Sequence, residues 1–372
     1  MKMNLMSLMF VAGLSGSALA GPFQLGNLVV VRVGDAGGGT LNSAGTLTYL
    51  DEYTPGGSLV QTISLPTSAS GANKRLVTSG SATTEGTLTR SDDRNYLTIG
   101  GYDAAVGTAA IGTTSTSGLT PVLRVMGRVG FNGVVDTSTS TTAFSGNSIR
   151  SVVSSDGAQF WMTGGNNGVQ YASSLGASSS ILINSTGATN NRQINIFGGQ
   201  LYVASASGTS RGVNTVGTGL PTTGSQAMTL LAGTGSITGS SPNDFYIANA
   251  TTMYIADDSQ TAGVGGLQRW DLTAGTWSRT GNFTPANGGR LRQMTGTTNA
   301  AGQTLLYVTV IDSVGLPSIQ SFTDIGASSG FTNIVTGAAN TAWRGIDFAP
   351  IPAPGALSLL GLSGLVVARR RR

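Results

Sequence analysis

The sequence predicts an all-β ring of four-stranded blades, a β-propeller, and three observations carry that expectation. Between residues 21 and 350, short β-branched or aromatic runs bounded by Gly, Asn, Asp and Ser replace any helical periodicity. One strand pattern recurs at about the length of a blade. The two ends of this body each hold an incomplete unit that the other end completes.

The elements follow in chain order. Leu28–Val33 is a run of apolar and β-branched residues, a strand buried on both faces. Leu47–Tyr53 leads through Thr54-Pro55-Gly56-Gly57 into Ser58–Ile63, where Pro and Gly supply the turn's backbone angles, so an outer hairpin is expected. Next comes the clearest repeat. Ser91-Asp92-Asp93-Arg94-Asn95-Tyr96-Leu97-Thr98-Ile99-Gly100-Gly101 aligns without gaps to Ser155-Asp156-Gly157-Ala158-Gln159-Phe160-Trp161-Met162-Thr163-Gly164-Gly165. Each reads as a Ser-Asp turn, its Asp bonding backbone amides two residues on, followed by a strand that opens on an aromatic residue. Shorter copies follow at Tyr202, Tyr254 and Tyr307, so the aromatic positions from Tyr96 and Phe160 onward lie 64, 42, 52 and 53 residues apart.

Gly107–Thr120, rich in Gly, Thr, Ser and Ala, reads as a long mobile surface loop. Leu267–Leu272 turns at Ala274-Gly275 into Thr276-Trp277-Ser278, a second outer hairpin. Residues 25–66 supply an inner strand and an outer hairpin without an innermost strand, and Thr341–Phe348 is a lone strand. Joined, they make one blade and close the ring, which removes its open edges. Six blades are expected, with seven as the alternative. A β-sandwich and a right-handed β-solenoid compete, although a solenoid needs a shorter, stricter period.

Composition narrows function. The 372 residues include no Cys and no His, which excludes disulfides, thiol nucleophiles, zinc–thiolate sites and His-based triads. Only 10% of residues are charged, and Ser plus Thr make up roughly a quarter of the chain. The formal net charge of +4 comes from the ends, because the body between Arg32 and Arg344 holds 15 basic residues against 16 acidic ones. No basic stripe is evident, so no nucleic-acid partner is expected.

The ends are addresses. Lys2, the apolar stretch Leu5–Leu14 and the small-residue pattern Ala18-Leu19-Ala20 before Gly21 form a secretory signal peptide over residues 1–20, cut by signal peptidase. Residues 351–372 begin Ile351-Pro352-Ala353-Pro354-Gly355, continue through thirteen uncharged residues, Ala356–Ala368, and finish in Arg369, Arg370, Arg371 and Arg372. This is a Pro-rich break, then a hydrophobic stretch read as a transmembrane helix, then a positive stop that stays cytoplasmic. The tail resembles the PEP-CTERM sorting signal of exported bacterial proteins. That resemblance implies processing by an exosortase-type peptidase, transient membrane anchoring, and delivery to the cell envelope, cell surface or extracellular space. Ala353 departs from the pattern, which usually has Glu between the prolines, and this leaves the cleavage point open.

Within the body, the strands Tyr202-Val203-Ala204 and Tyr254-Ile255-Ala256 resemble inner strands of NHL-like and lactonase-like propellers. This likeness implies fold only and transfers no catalytic residue. Gly34-Asp35-Ala36-Gly37-Gly38-Gly39 lacks the Lys-Ser/Thr and helix of a phosphate loop and reads as a turn. The adjacent acids Asp51-Glu52, Asp92-Asp93 and Asp257-Asp258 point to opposite strand faces or cap turns. Glu85, Asp103, Asp136 and Asp347 are scattered singly. Trp161, Trp270, Trp277 and Trp343 fall in strands, as packing between blades.

The resulting expectation is a surface or matrix propeller with a non-catalytic binding or structural role and no cofactor. An extracellular polysaccharide or a matrix protein is its possible partner. The alternative is a secreted Ca²⁺-dependent hydrolase or lactonase, which requires carboxylates to converge at one channel mouth.

Overall fold

A computed structural model describes residues 21–184, 189–285, 288–311 and 315–353. The chain folds as a six-bladed β-propeller of four-stranded antiparallel blades. Blade 1 joins both ends of the body. Ala342–Phe348 is its innermost strand, followed outward by Leu28–Val33, Thr48–Tyr53 and Leu59–Ser64. The other innermost strands are Leu88–Arg90, Ile149–Val153, Asn191–Phe197, Pro242–Asn249 and Arg290–Thr298, in blades 2 to 6. The five aromatic-marked strands are each the second strand of blades 2 to 6.

The expected turn chemistry is present. Asp93 Oδ1 accepts the Asn95 N–H at 3.1 Å, and Asp156 Oδ1 accepts that of Ala158 at 2.9 Å. Gly157, at φ +78°, admits no side chain, because a Cβ there would lie 2.4 Å from the Tyr96 ring. The core lies between blade faces. Val29, Val31 and Leu50 of blade 1 meet Leu97, Ile99 and Val125 of blade 2, all fully buried. Each such side chain contributes roughly 1.5–3 kcal/mol by leaving water. The four tryptophans are buried in strands: Trp161 packs on Tyr171 with centroids 5.1 Å apart, and Trp343 on Tyr53 at 5.5 Å.

Gly107–Thr120 is a long surface loop with most of its residues exposed, and it is anchored at one point. Its Ile111 is fully buried in a one-turn helix, Ile111–Thr113. The Arg124 guanidinium, itself buried, bonds the carbonyls of Thr114, Val122, Phe144 and Asn147 and ties the loop down. Among the described residues no helix is long and apolar enough to cross a membrane. The expected signal peptide and transmembrane helix, with Ala18, Ala20, Pro354 and Arg369–Arg372, lie outside the described residues.

Candidate functional site

The site is one mouth of the central channel, where the innermost strands begin; it is termed the upper mouth below. In five blades the innermost strand carries a register shift at the same level. Ile149 and Ser151 face Gly164 and Thr163, which leaves Arg150 as the extra residue. Asn191 and Ile194 face Ser205 and Val203, so the bulge takes in Arg192. Pro242 and Asp244 face Asp257 and Ala256, with Asn243 between them. Leu291 and Met294 face Val310 and Val308 across Arg292, and Trp343 and Ile346 face Arg32 and Val30 across Arg344. A bulge adds one residue and re-aims its side chain. Four of these five bulges carry an arginine and the fifth an asparagine.

These residues form a partly connected ring. Arg150 donates to Asn190 Oδ1 and, at 3.0 Å, to the Asn191 carbonyl. Arg192 Nη1 donates to Asn243 Oδ1 at 3.1 Å and to Asp258 Oδ1 at 3.0 Å. Asp258 also meets Arg292 Nη1 at 3.5 Å, so one carboxylate serves two guanidiniums. Arg344 Nη2 donates to the Gly80 carbonyl at 2.8 Å. Glu85, buried beside the ring, spends its oxygens on Tyr102 Oη at 2.8 Å and the Ser79 N–H at 3.2 Å.

The ring therefore sets four guanidiniums against two carboxylates, with Arg290 and Asp257 adjoining it. Burial lowers Arg344 to about 10, with the charge on Glu85 opposing and that on Arg292 adding to the effect. Burial and the neighbouring Arg192 likewise lower Arg150 to about 10. Both therefore remain cationic at neutral pH. Burial also raises Glu85, against the pull of Arg344 and the hydrogen bond from Tyr102. Arg192 Nε and Arg344 Nη1 are buried without a hydrogen-bond partner among the described residues. Buried cations short of partners are costly, and an arriving anion relieves that cost.

Below the ring, polar side chains plug the channel by satisfying the inner edges of the innermost strands. Gln293 Oε1 accepts the N–H groups of Leu88 at 2.9 Å and Ile346 at 3.0 Å, and its Nε2 donates to the Leu88 carbonyl at 2.8 Å. Gly345 makes room there, since a Cβ would lie 2.4 Å from the Leu88 nitrogen. Asp244 Oδ2 accepts the Met294 N–H and Asp347 Oδ2 that of Arg90, both at 2.7 Å. At the opposite, lower mouth, a cavity of about 280 Å³ is lined by Arg90, Asp92, Arg94, Asn195, Tyr246 and others. The C-terminal segment leaves there, with the Ile351 N–H on the Arg94 carbonyl at 2.9 Å and Pro352 and Ala353 beyond.

The structure scatters the acids singled out in the sequence. Asp51 pairs with Arg32 at 2.6 Å, while Glu52, on the opposite face, holds Asn27 at 2.8 Å. Asp257 gathers the N–H groups of Ser241 and Ser259, whereas Asp258 enters the ring. Asp93 caps its turn, with Asp92 beside it at the lower mouth. Asp103 pairs with Arg75 at 2.8 Å and Asp136 lies 3.8 Å from Arg128. Glu85 joins the upper mouth and Asp347 the plug. Among the described residues no three acidic side chains converge as a metal site would require. Gly21 exchanges hydrogen bonds with the Gln61 side chain at 3.0 and 3.2 Å. The segment Gly34–Gly39 is a turn, its Gly38 N–H on the Asp35 carbonyl at 2.8 Å.

Sequence reading missed the arginines, although a faint signal exists. Ile149-Arg150-Ser151-Val152, Asn191-Arg192-Gln193-Ile194, Leu291-Arg292-Gln293-Met294 and Trp343-Arg344-Gly345-Ile346 share one pattern, with Pro242-Asn243-Asp244-Phe245 as a variant. Alignment on the innermost strands would have exposed it.

No protein-family model matches the chain, and no curated protein matches it. Solved structures do. A 6-phosphogluconolactonase-like protein of Bacteroides uniformis ATCC 8492 is 11% identical, with 83% of this chain and 82% of that one covered at a TM-score of 0.45. The extracellular domain of a one-component system of B. thetaiotaomicron is 11% identical, with 84% and 34% covered at 0.40. The Neurospora crassa Pan2 WD40 domain is 11% identical, with 73% and 91% covered at 0.37. Likenesses this distant do not bear on what the chain binds.

Proposed function

We propose that this chain is an exported, surface-displayed propeller that binds an anionic ligand at its upper mouth and does not transform it. The observation that carries the binding reading is the ring of Arg150, Arg192, Arg292 and Arg344 on bulged innermost strands, with Glu85 and Asp258 as the carboxylates beside it. Guanidiniums fixed before the ligand arrives lose little freedom on binding and favour planar, bidentate oxyanions. The signal peptide over residues 1–20 and the PEP-CTERM-like tail over residues 351–372 support export and sorting. In this reading signal peptidase cuts before Gly21 and an exosortase-type peptidase acts near Pro352-Ala353-Pro354. The chain's uncharged Ser-, Thr- and Gly-rich composition suits a role among matrix polymers.

The test is retention of the full chain on immobilised acidic and neutral polysaccharides across a salt gradient. Retention on the acidic matrix alone, released by about 0.5 M salt as screening sets in, is expected. Equal retention on both, or on neither, overturns the reading. Fractionation of expressing cells, with the N-terminus sequenced, tests export.

A further inference from the structure

Beside the ring, between blades 1 and 6, a cleft of about 290 Å³ opens at the upper mouth, with Arg292 and Arg344 at one end. We infer that this cleft is a subsite for one hexuronate residue of an acidic polysaccharide, with the carboxylate on Arg344 and Arg292. The inference rests on the anion-binding reading above and names its ligand class.

Three features select that chemistry. First, Arg344 is 4% exposed and its Nη1 has no partner among the described residues; Trp343 beside it is 3% exposed, and its indole N–H is likewise unpartnered. Both residues contribute to the cleft lining; the Trp343 ring packs on Tyr53 in the core between the blades, and the unpartnered donor that bears on the cleft is the Arg344 guanidinium. Second, Ser81, Thr83 and Asn340 lie exposed along the rim and can exchange hydrogen bonds with sugar hydroxyls. Third, Leu41 and Ile311 give the cleft apolar surface. A sugar ring has a C–H face to lay on such a wall, and inorganic phosphate has none. The size agrees, since the volume sits at the lower end of the roughly 300–1,000 Å³ typical of small-ligand pockets.

The wall is a consequence of local backbone. Gly34, at φ +81°, lets the chain turn under the cleft, because a Cβ there would lie 2.7 Å from Leu41 Cδ2 and 2.8 Å from the Asn340 carbonyl. The Gly-rich segment that reads as a mere turn in the sequence thereby positions Leu41.

The experiment is calorimetric titration of the full chain with hexuronate oligosaccharides (galacturonate, glucuronate and mannuronate), their methyl esters, and inorganic phosphate. At least one uronate is expected to bind ten-fold or more tightly than its own methyl ester and than phosphate. Ser81→Trp, at an exposed rim position, is expected to remove ten-fold or more of that affinity with an unchanged melting temperature. Arg344→Gln should do the same, and if it fails to fold, Ser81→Trp still decides. Equal binding of acid and ester overturns the inference. Phosphate binding as tightly as uronate, with Ser81→Trp harmless, also overturns it and leaves the anion reading standing. Binding of no anion at all overturns both.

Discussion

The two levels of the central channel treat charge in opposite ways. At the plug, Asp244 and Asp347 are acids held by backbone N–H groups of neighbouring blades, and Gln293 spans three blades with every polar atom engaged. One level up, only two of the four arginines pair with a carboxylate, both with Asp258, and two buried guanidinium nitrogens lack partners among the described residues. The plug's polarity stabilises the fold, since inner-edge N–H groups left buried and unpaired would cost about 1–3 kcal/mol each. The ring's polarity does not. A satisfied network and an unsatisfied one, a few ångströms apart on the same strands, separate architecture from function.

The comparison is broken most forcefully at Gln293. Gln293→Ala leaves the Leu88 and Ile346 N–H groups and the Leu88 carbonyl without their buried partner. The expected loss is about 3 kcal/mol or more, a fall in melting temperature of roughly 4 °C or more by circular dichroism for a body of this size. Affinity for acidic ligands should stay within about two-fold at a temperature where the variant is folded. A variant that keeps its stability and loses binding would place the plug in the ligand site.

Arg150→Gln probes the other level. Its hydrogen-bond partners are neutral, namely Asn190 and the Asn191 carbonyl, and its neighbour Arg192 repels it while Glu85 and Asp258 attract it. Neutralising it should raise the melting temperature slightly or leave it unchanged, while affinity for an acidic polymer falls about three- to ten-fold, on the order of 1 kcal/mol. That is the reverse of the Gln293 signature. A melting temperature lowered by more than about 5 °C would make the ring architectural as well.

Asp244 sharpens the contrast through pH. Burial pushes its carboxyl up to about 8, against the backbone bonds from Met294 and Phe245. The group therefore stays protonated when folded across a range where the unfolded chain ionises near its ordinary 3.8. Below pH 4 both states hold the proton and the group costs nothing; as pH rises from about 4 to about 8 the native state loses stability, after which the loss levels off. Relative to Asp244→Asn, the native chain should gain on the order of 2–5 kcal/mol between pH 8 and pH 4 in urea titrations. A difference that does not change with pH would mean that Asp244 is already ionised and that the plug stabilises its anions.

What the sequence disclosed, and what it withheld, follows the same division. The blades were legible because strand and turn signals are local: Tyr96 after a Ser-Asp turn, Gly57 at φ +90° closing a hairpin, and a lone strand at Ala342–Phe348 with one missing place to fill. The turn roles of Asp93 and Asp156 followed from two-residue spacing. The arginines were hidden because each of four blades offers only one, separated by 42 residues from Arg150 to Arg192 and 52 from Arg292 to Arg344. Only the bulges bring them to one level, and a bulge leaves no mark in hydrophobic periodicity. In Gly107–Thr120 the surface loop was legible but its anchor was not, for a related reason: low complexity hides Ile111, and the side chain that ties the loop down, Arg124, lies beyond its end.

Calcium makes the smallest expected difference and the last discrimination. A carboxylate-based channel site needs acids that converge with free oxygens. Here Asp51 and Glu52 diverge, Glu85 is engaged by Tyr102 and Ser79, and Asp258 by two arginines. A cation would enter a mouth already in positive excess. Millimolar Ca²⁺ should therefore move the melting temperature by less than about 1 °C. A site filled at a hundred times its dissociation constant would add about 2.7 kcal/mol, an upward shift of several degrees. Such a shift would move the functional weight of the channel from its arginines to its acids.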